Sequence, residues 1–140
     1  MDNHIYRQMV DQAPDAILFA DREGIIRLWN KGAELVFGFS AEEALGQSLD
    51  LIIPENLRQR HWDGYHRVMA GGETKYGTGL LSVPALHKSG ERRFTDFTII
   101  MIRDEAGQLL GIASVMRDTT AQKAKEKEMR ERIRELEGNS

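Results

Sequence analysis

The sequence predicts one domain of the α+β class, in which helices cover one face of an antiparallel sheet. Two observations carry this prediction: a strand hairpin opens the domain, and three strand-like segments close it, with several helices between them. A third observation marks the end of the domain, because from Thr120 the composition changes abruptly to charged, helix-forming residues. At 140 residues the chain is long enough to bury one hydrophobic core.

Apolar spacing and turn residues predict the first elements. Residues 2–12 form an amphipathic helix with Ile5, Met9 and Val10 toward one side. Pro14 ends it, because proline disfavours helix at the residue before it. The apolar run 16–20 is a buried strand. After a turn at 21–24, in which Gly24 adopts a positive φ without steric cost, residues 25–29 return as the second strand of a hairpin.

Capping signals predict the helices that follow. Asn30 is a good N-cap for a helix over residues 32–37, and Gly38 ends that helix. Residues 40–43 (SAEE) form a capping box that opens another helix, which Gly46 is predicted to end. A longer helix is predicted over residues 55–69, terminated by the glycines at 71 and 72.

The last part of the chain reads as three strands and one charged helix. The strands are predicted over residues 76–86, 92–103 and 109–117, with turns at 89–90 and 104–107. In the helix over residues 121–137, Met129, Ile133 and Leu136 follow the 4–3 spacing of a coiled-coil seam. A coiled coil with so short a seam would be only marginally stable by itself. The presence of the seam nevertheless favours a helix that relays a signal and forms a dimer. The alternative is a solvated tail.

Composition excludes several classes of protein. A net charge of −3 without clustered Lys and Arg gives no reason to expect nucleic acid as a partner. No apolar run approaches the roughly 18 residues of a membrane span, and the N-terminus is no signal peptide, so a cytoplasmic protein is expected. With no cysteine there is no disulfide, no thiolate metal site and no thiol-linked chromophore. No catalytic constellation or phosphate-binding glycine loop is found, and we expect no enzyme.

Seven short motifs follow one another along the chain. They are APDA (13–16), DREGII (21–26), WNKGA (29–33), FGFS (37–40), IP (53–54), KSG (88–90) and RDTT (117–120). Their order resembles a PAS domain, the sensor module of bacterial signalling proteins, although in the closing motif Thr119 stands where these domains usually have an apolar residue. The resemblance covers about residues 10–120 and implies a five-stranded antiparallel sheet with a ligand cavity between its inner face and the helices. It divides the chain into a helical cap (1–12), a PAS sensor domain (13–120) and a signalling helix (121–140).

Residues 58–73 resemble the proximal helix of haem-binding PAS oxygen sensors of the rhizobial type. Counting back without a gap from the segment MAGGE (69–73) implies that His61 is the axial ligand of haem b, and that Arg67 and Lys75 contact its propionates. Helical periodicity independently places His61 on an apolar stripe with Leu57, Tyr65 and Val68. Aligning on the Asp-Gly-Tyr at 63–65 instead would put Trp62 at the axial position and abolish the site.

The strands opposite this helix carry the rest of the predicted site. The resemblance puts Leu81 at the position of the oxygen sensors' distal arginine, and an apolar pocket is predicted from Tyr76, Leu81, Phe97 and Ile99. Such a pocket suits carbon monoxide or nitric oxide better than a stable oxygen complex. We therefore expect a haem sensor of a diatomic gas or of redox state, acting as a homodimer on an effector through the C-terminal helix.

Two less specific interpretations stand beside this one. His61 could be an ordinary hydrogen-bonded core histidine. The module could then act without haem, by dimerisation through its C-terminal helix or with a small organic ligand. A zinc site from His61, Asp63 and His66 is disfavoured, because residues five apart do not share a helix face. Trp29 and Trp62 are more typical of core packing than of flavin stacking.

Overall fold

The computed structural model describes residues 3–71 and 81–138. Its strands are β1 (Ala16–Asp21), β2 (Ile26–Trp29), β3 (Leu81–Leu86), β4 (Arg92–Arg103) and β5 (Leu109–Asp118). They form one five-stranded sheet in the order β2-β1-β5-β4-β3, with every neighbouring pair antiparallel. The helices are α1 (Asn3–Gln12), α2 (Lys31–Phe37), α3 (Ala41–Ala44), α4 (Arg58–Gly71) and α5 (Thr120–Gly138). The predicted α+β class and five-stranded sheet are confirmed.

The hairpin of β1 and β2 turns on Asp21 and Gly24. The Asp21 carboxylate accepts hydrogen bonds from the backbone N–H groups of Glu23 and Ile25, and Gly24 has a φ of +80°. Ile25 forms an isolated bridge with Ser48, and its carbonyl accepts from the backbone N–H of Asp21 at 3.0 Å, while β2 begins at Ile26, one residue later than predicted. A side-chain-stabilised turn of this kind fixes the end of the sheet that α4 approaches.

Asn30 joins the N-terminal helix to the sheet and to α2. Its side-chain oxygen accepts from the backbone N–H groups of Ile17 (2.8 Å) and Ala33 (2.9 Å), so it caps α2 as predicted. Its side-chain nitrogen donates to the carbonyls of Val10, Ala13 and Asp15. Since the NH₂ group has only two hydrogens, one of them is shared between two of these carbonyls. The amide of the buried Asn30 is fully satisfied and holds the end of α1 against the domain.

The helices after α2 follow the capping signals with two differences. Ser40 and Glu43 form the predicted capping box of α3, but the helix ends at Ala44, before Gly46. The long helix predicted over residues 55–69 is divided. Two 3₁₀ turns, Leu49–Ile52 and Glu55–Leu57, lie on either side of Pro54, and α4 runs from Arg58 to Gly71. The first turn of the predicted helix is thus a 3₁₀ turn, which is frequent at helix N-termini.

The core lies between the inner face of the sheet and the short helices. Alternate residues of the central strands face it: Ala16, Leu18 and Ala20 of β1 pair with Met116, Ser114 and Ile112 of β5. The terminal helices α1 and α5, in contrast, have no buried residue. In the part of the chain that the structure describes, no helix is long and apolar enough to cross a membrane.

Candidate functional site

Helix α4 presents its buried face through Tyr65 and Met69, the two buried residues of the helix. His61, Trp62 and Val68 flank them and are half-buried. The buried face of α4 therefore includes Tyr65 as predicted, but it is centred closer to Met69, which the sequence analysis did not place on this face. His61 consequently lies at the edge of the buried face and is half-buried.

His61 is surrounded by aromatic rings. Its ring centroid lies 4.7 Å from that of Trp62, in an edge-on arrangement, and 5.6 Å from that of Tyr65. Its Nδ1 atom is buried and has no hydrogen-bond partner among the described residues. Burial lowers the pKa of His61, against an opposing effect of Asp50 and reinforced by His66. The ring is thus a neutral imidazole at neutral pH, the form that binds metal ions.

Trp62 is fixed by the turn at the end of the sheet and by the loop before the helix. Its indole Nε1–H donates to the carboxylate of Asp50 at 2.7 Å, and its ring lies directly against Gly24. A Cβ at Gly24 would fall 2.1 Å from the far edge of that ring. Only glycine leaves room for this contact. The hairpin turn therefore fixes the Trp62 ring, and the Trp62 ring in turn contacts the ring of His61.

Tyr65 ties the middle of α4 to the end of β1. Its hydroxyl donates to the carbonyl of Asp21 and lies 3.3 Å from that of Ala20. Burial, with the neighbouring Asp21 charge, raises the pKa of Tyr65, so the phenol stays protonated and remains a donor. One turn further along, the carbonyl of Met69 accepts from Arg22, whose guanidinium also binds the carbonyl of Leu109.

The apolar residues predicted for the opposite wall lie on β3 and β4. Leu81 and Phe97 are register partners, and Ile99 follows on the same face of the sheet. All three are half-buried, and Phe97 and Ile99 pack against the core. Among the described contacts, the His61 ring meets Trp62 and Tyr65, and none joins it to these strand residues.

The sequence analysis missed a polar residue on this inner face. Ser114 of β5 is the register partner of both Leu18 and Ile99 and is only 8% exposed. The strict alternation of β5, with Ile112 and Met116 buried on either side of it, would have placed its side chain inward.

Two of the predicted ligand contacts, Lys75 and Tyr76, lie outside the described residues. Arg67 of α4 is exposed. A pocket of about 500 Å³ opens at the end of α4 and is distinct from the predicted cavity. Its lining residues are Arg22, Met69, Ala70, Gly71, Arg103, Gly107, Gln108 and Leu109.

The junction with α5 is anchored to the first residues of β4. The backbone of Phe94 donates to the Thr120 hydroxyl and accepts from the N–H of Thr119 at 2.8 Å. Asp118 accepts from the backbone N–H of Thr120 and pairs with Arg93 at 3.5 Å. The buried Thr119 stands where the motif usually has an apolar residue, and its Oγ1 atom is buried without a hydrogen-bond partner among the described residues.

Residues 10–124 match the family described as PAS fold. The chain belongs to this family. The PAS domain is 34% identical to the sensor protein FixL of Bradyrhizobium diazoefficiens over 108 residues, which are 65% of this chain and 21% of FixL. It is 25% identical to the oxygen sensor protein DosP of Escherichia coli over 118 residues, 84% of this chain and 14% of DosP. The chain thus spans about a fifth or less of these relatives.

A solved PAS domain from Colwellia psychrerythraea superposes on this one with a TM-score of 0.73 and 26% sequence identity. The superposition covers 86% of this chain and 99% of the Colwellia domain. The RpfR PAS domain of Cronobacter turicensis, solved in complex with C12:0, has a TM-score of 0.60 and 18% identity, a likeness of fold alone. These comparisons establish a PAS sensor domain.

Haem is the cofactor that the resemblance implies, and the described residues of the PAS domain fit it in two respects. His61 offers a neutral imidazole with a buried nitrogen that lacks a partner. The inner strands offer the apolar side chains Phe97 and Ile99. No group of three or more His, Asp or Glu side chains that could hold a metal ion occurs in residues 3–71 and 81–138, and a single axial histidine needs none.

Proposed function

We propose that this PAS domain binds haem b through His61 and senses a diatomic gas or the redox state of the iron. One observation carries the proposal: the half-buried His61 has a ring nitrogen without a hydrogen-bond partner. Buried polar atoms are paired in the great majority of cases, so an unpartnered imidazole nitrogen is itself a reason to look for a ligand. The spacing of His61 from residues 69–73, which resembles that of haem-binding PAS oxygen sensors, supports the same residue, and similarity to an oxygen sensor protein supports the class of signal.

Each remaining residue has a distinct part in this proposal. Arg67 and Lys75 balance the two propionates, since guanidinium and ammonium groups are the usual partners of carboxylates. Tyr76, Leu81, Phe97 and Ile99 form the apolar surroundings in which carbon monoxide or nitric oxide is held more readily than oxygen. When bound, haem supplies an iron centre that takes up such a gas or changes its oxidation state.

The signal leaves the domain through β5. A change in the packing of the inner sheet face alters the position of β5, and β5 continues through Asp118 into α5. The bonds between Phe94 and residues 119–120 hold the start of α5 against β4, so the helix follows the sheet. An effector protein or domain that contacts α5 is the receiver in this proposal.

Haem reconstitution followed by absorption spectroscopy tests the cofactor. We expect a Soret band that shifts when carbon monoxide is added and that is lost in His61→Ala. His66→Ala is the matched control, because this exposed histidine lies on the same helix and should keep the band. Absence of a band in the unmodified domain, or a band of equal intensity in His61→Ala, rejects the proposal.

A second candidate function is a haem-free module that acts by dimerisation. The observation that favours it is the seam of α5: Met129, Ile133 and Leu136 are exposed by 63%, 52% and 72%. Three apolar side chains on one side of a charged helix bury this surface when two helices associate. Sedimentation of the chain truncated after Thr120 should then give monomers, whereas the full chain gives dimers. If the truncated chain still dimerises, α1, with Tyr6, Met9 and Val10, becomes the candidate interface.

A further inference from the structure

Trp62 is anchored at both ends of its ring system by residues distant in sequence. At one end the indole N–H donates to the Asp50 carboxylate at 2.7 Å, and a hydrogen bond to a charged acceptor is stronger than one between neutral groups. At the other end the six-membered ring lies against Gly24, where an added Cβ would fall 2.1 Å from it. The indole is therefore restrained by two contacts from outside its own helix.

His61 lacks an anchor of this kind. Its Nδ1 atom is buried without a hydrogen-bond partner among the described residues. Its ring packs against Trp62, with the ring centroids 4.7 Å apart and the planes at 75°, and against Tyr65 at 5.6 Å. Tyr65 in turn lies edge-on to Trp62 at 5.4 Å, so the three rings form one cluster. Trp62 is the closer of the two neighbours, and its position limits how the imidazole can rotate.

We propose that Trp62 is a positioning residue for His61, which holds the imidazole in one orientation before haem binds. The inference rests on the proposed haem function and concerns the residue that stands between His61 and the Asp-Gly-Tyr at 63–65. A side chain that becomes ordered only on binding loses conformational entropy at that step, so an imidazole that is already ordered binds the iron more tightly. In this role Trp62 acts through His61 rather than on the iron.

Trp29 provides a matched comparison. Its indole N–H donates to the carbonyl of Phe39 at 2.9 Å, and its ring packs against Phe37. No contact joins Trp29 to His61 among the described residues. Trp29→Phe and Trp62→Phe each remove one indole hydrogen bond and leave a smaller ring. A general loss of stability should therefore appear in both variants, whereas an effect on His61 should appear in Trp62→Phe alone.

Haem titration followed at the Soret band measures the affinity of the unmodified domain and of both variants, at a temperature at which circular dichroism shows all three to be folded. Trp62→Phe should weaken haem binding by about three- to tenfold, the cost of ordering one freed side chain on binding. Trp29→Phe should leave the affinity unchanged. An unchanged affinity in Trp62→Phe, or an equal loss in the two variants, overturns the inference while leaving haem binding intact.

Resonance Raman spectroscopy gives a readout that lost stability alone would not move. One imidazole orientation gives one narrow iron–histidine stretching band, so we expect Trp62→Phe to shift or broaden the band and Trp29→Phe to retain it. Gly24→Ala displaces the same ring without removing it and should alter the band in the same way. A band that is unchanged in both Trp62→Phe and Gly24→Ala overturns the inference. If the unmodified domain binds no haem, the proposed function fails first and this inference with it.

Discussion

Replacing Gly24 by alanine tests whether the hairpin turn positions Trp62. Gly24 has a φ of +80°, and an added Cβ would lie 2.1 Å from the Trp62 ring. The ring must move, and its 2.7 Å hydrogen bond to the Asp50 carboxylate would then be lost. We estimate about 1 kcal/mol for alanine at a positive φ and about 1–2 kcal/mol for the partly exposed, charge-assisted hydrogen bond.

Gly46→Ala supplies the matched control. Gly46 has a similar φ of +87°, but nothing lies within 4 Å of its added Cβ. The free energy of unfolding of Gly46→Ala should therefore fall only by the cost of placing alanine at a positive φ, about 1 kcal/mol. The entropy that alanine removes from the unfolded chain is the same in both variants and cancels in the comparison. The assay is urea unfolding followed by circular dichroism, with the combined fluorescence of Trp29 and Trp62 as a second signal. Equal destabilisation of the two variants would refute the role assigned to the Gly24 contact.

Three further changes have defined outcomes in the same unfolding assay. Gly64→Ala should stabilise the domain by about 1 kcal/mol, because Gly64 lies inside α4 and its added Cβ meets no atom within 4 Å; a destabilised variant would contradict this. Asn30→Ala should cost about 3 kcal/mol, since it leaves the buried backbone of Ile17 and several carbonyls unpaired; a loss below about 1 kcal/mol would show that other groups replace the amide. In the haem-free protein the lowered pKa of His61 means that the unfolded chain binds a proton before the folded one does, so stability falls as pH drops below about 6.5. His61→Gln should flatten this part of the pH dependence and His66→Gln should retain it; equal slopes in both variants would contradict the assignment.

Local signals in the sequence predicted most of the fold. Asn30, Ser40 and Glu43 cap their helices as their side-chain chemistry requires, and the strand boundaries of β4 and β5 lie within one residue of the prediction. The error at residues 55–57 has a physical reason. A helix often begins with a 3₁₀ turn, and apolar spacing alone does not distinguish the two kinds of helix.

The site was predicted less completely, because its contacts join segments distant in sequence. Periodicity placed His61 toward the domain, but it gave no sign that Trp62 reaches the hairpin turn at Gly24 or binds Asp50. These contacts depend on how α4 lies against the sheet, which tertiary packing decides. Ser114 was predictable from the alternation of buried residues in β5, but the sequence analysis assigned no inward-facing residues on that strand.

Resonance Raman spectroscopy of the reduced, haem-reconstituted domain tests the central claim most directly, since it detects the bond between iron and the axial histidine. We predict an iron–histidine stretching band in the unmodified protein, its absence in His61→Gly, and its return when free imidazole is added to that variant. His66→Gly should retain the band without added imidazole. A band that persists in His61→Gly would show that another residue holds the iron and would contradict the account.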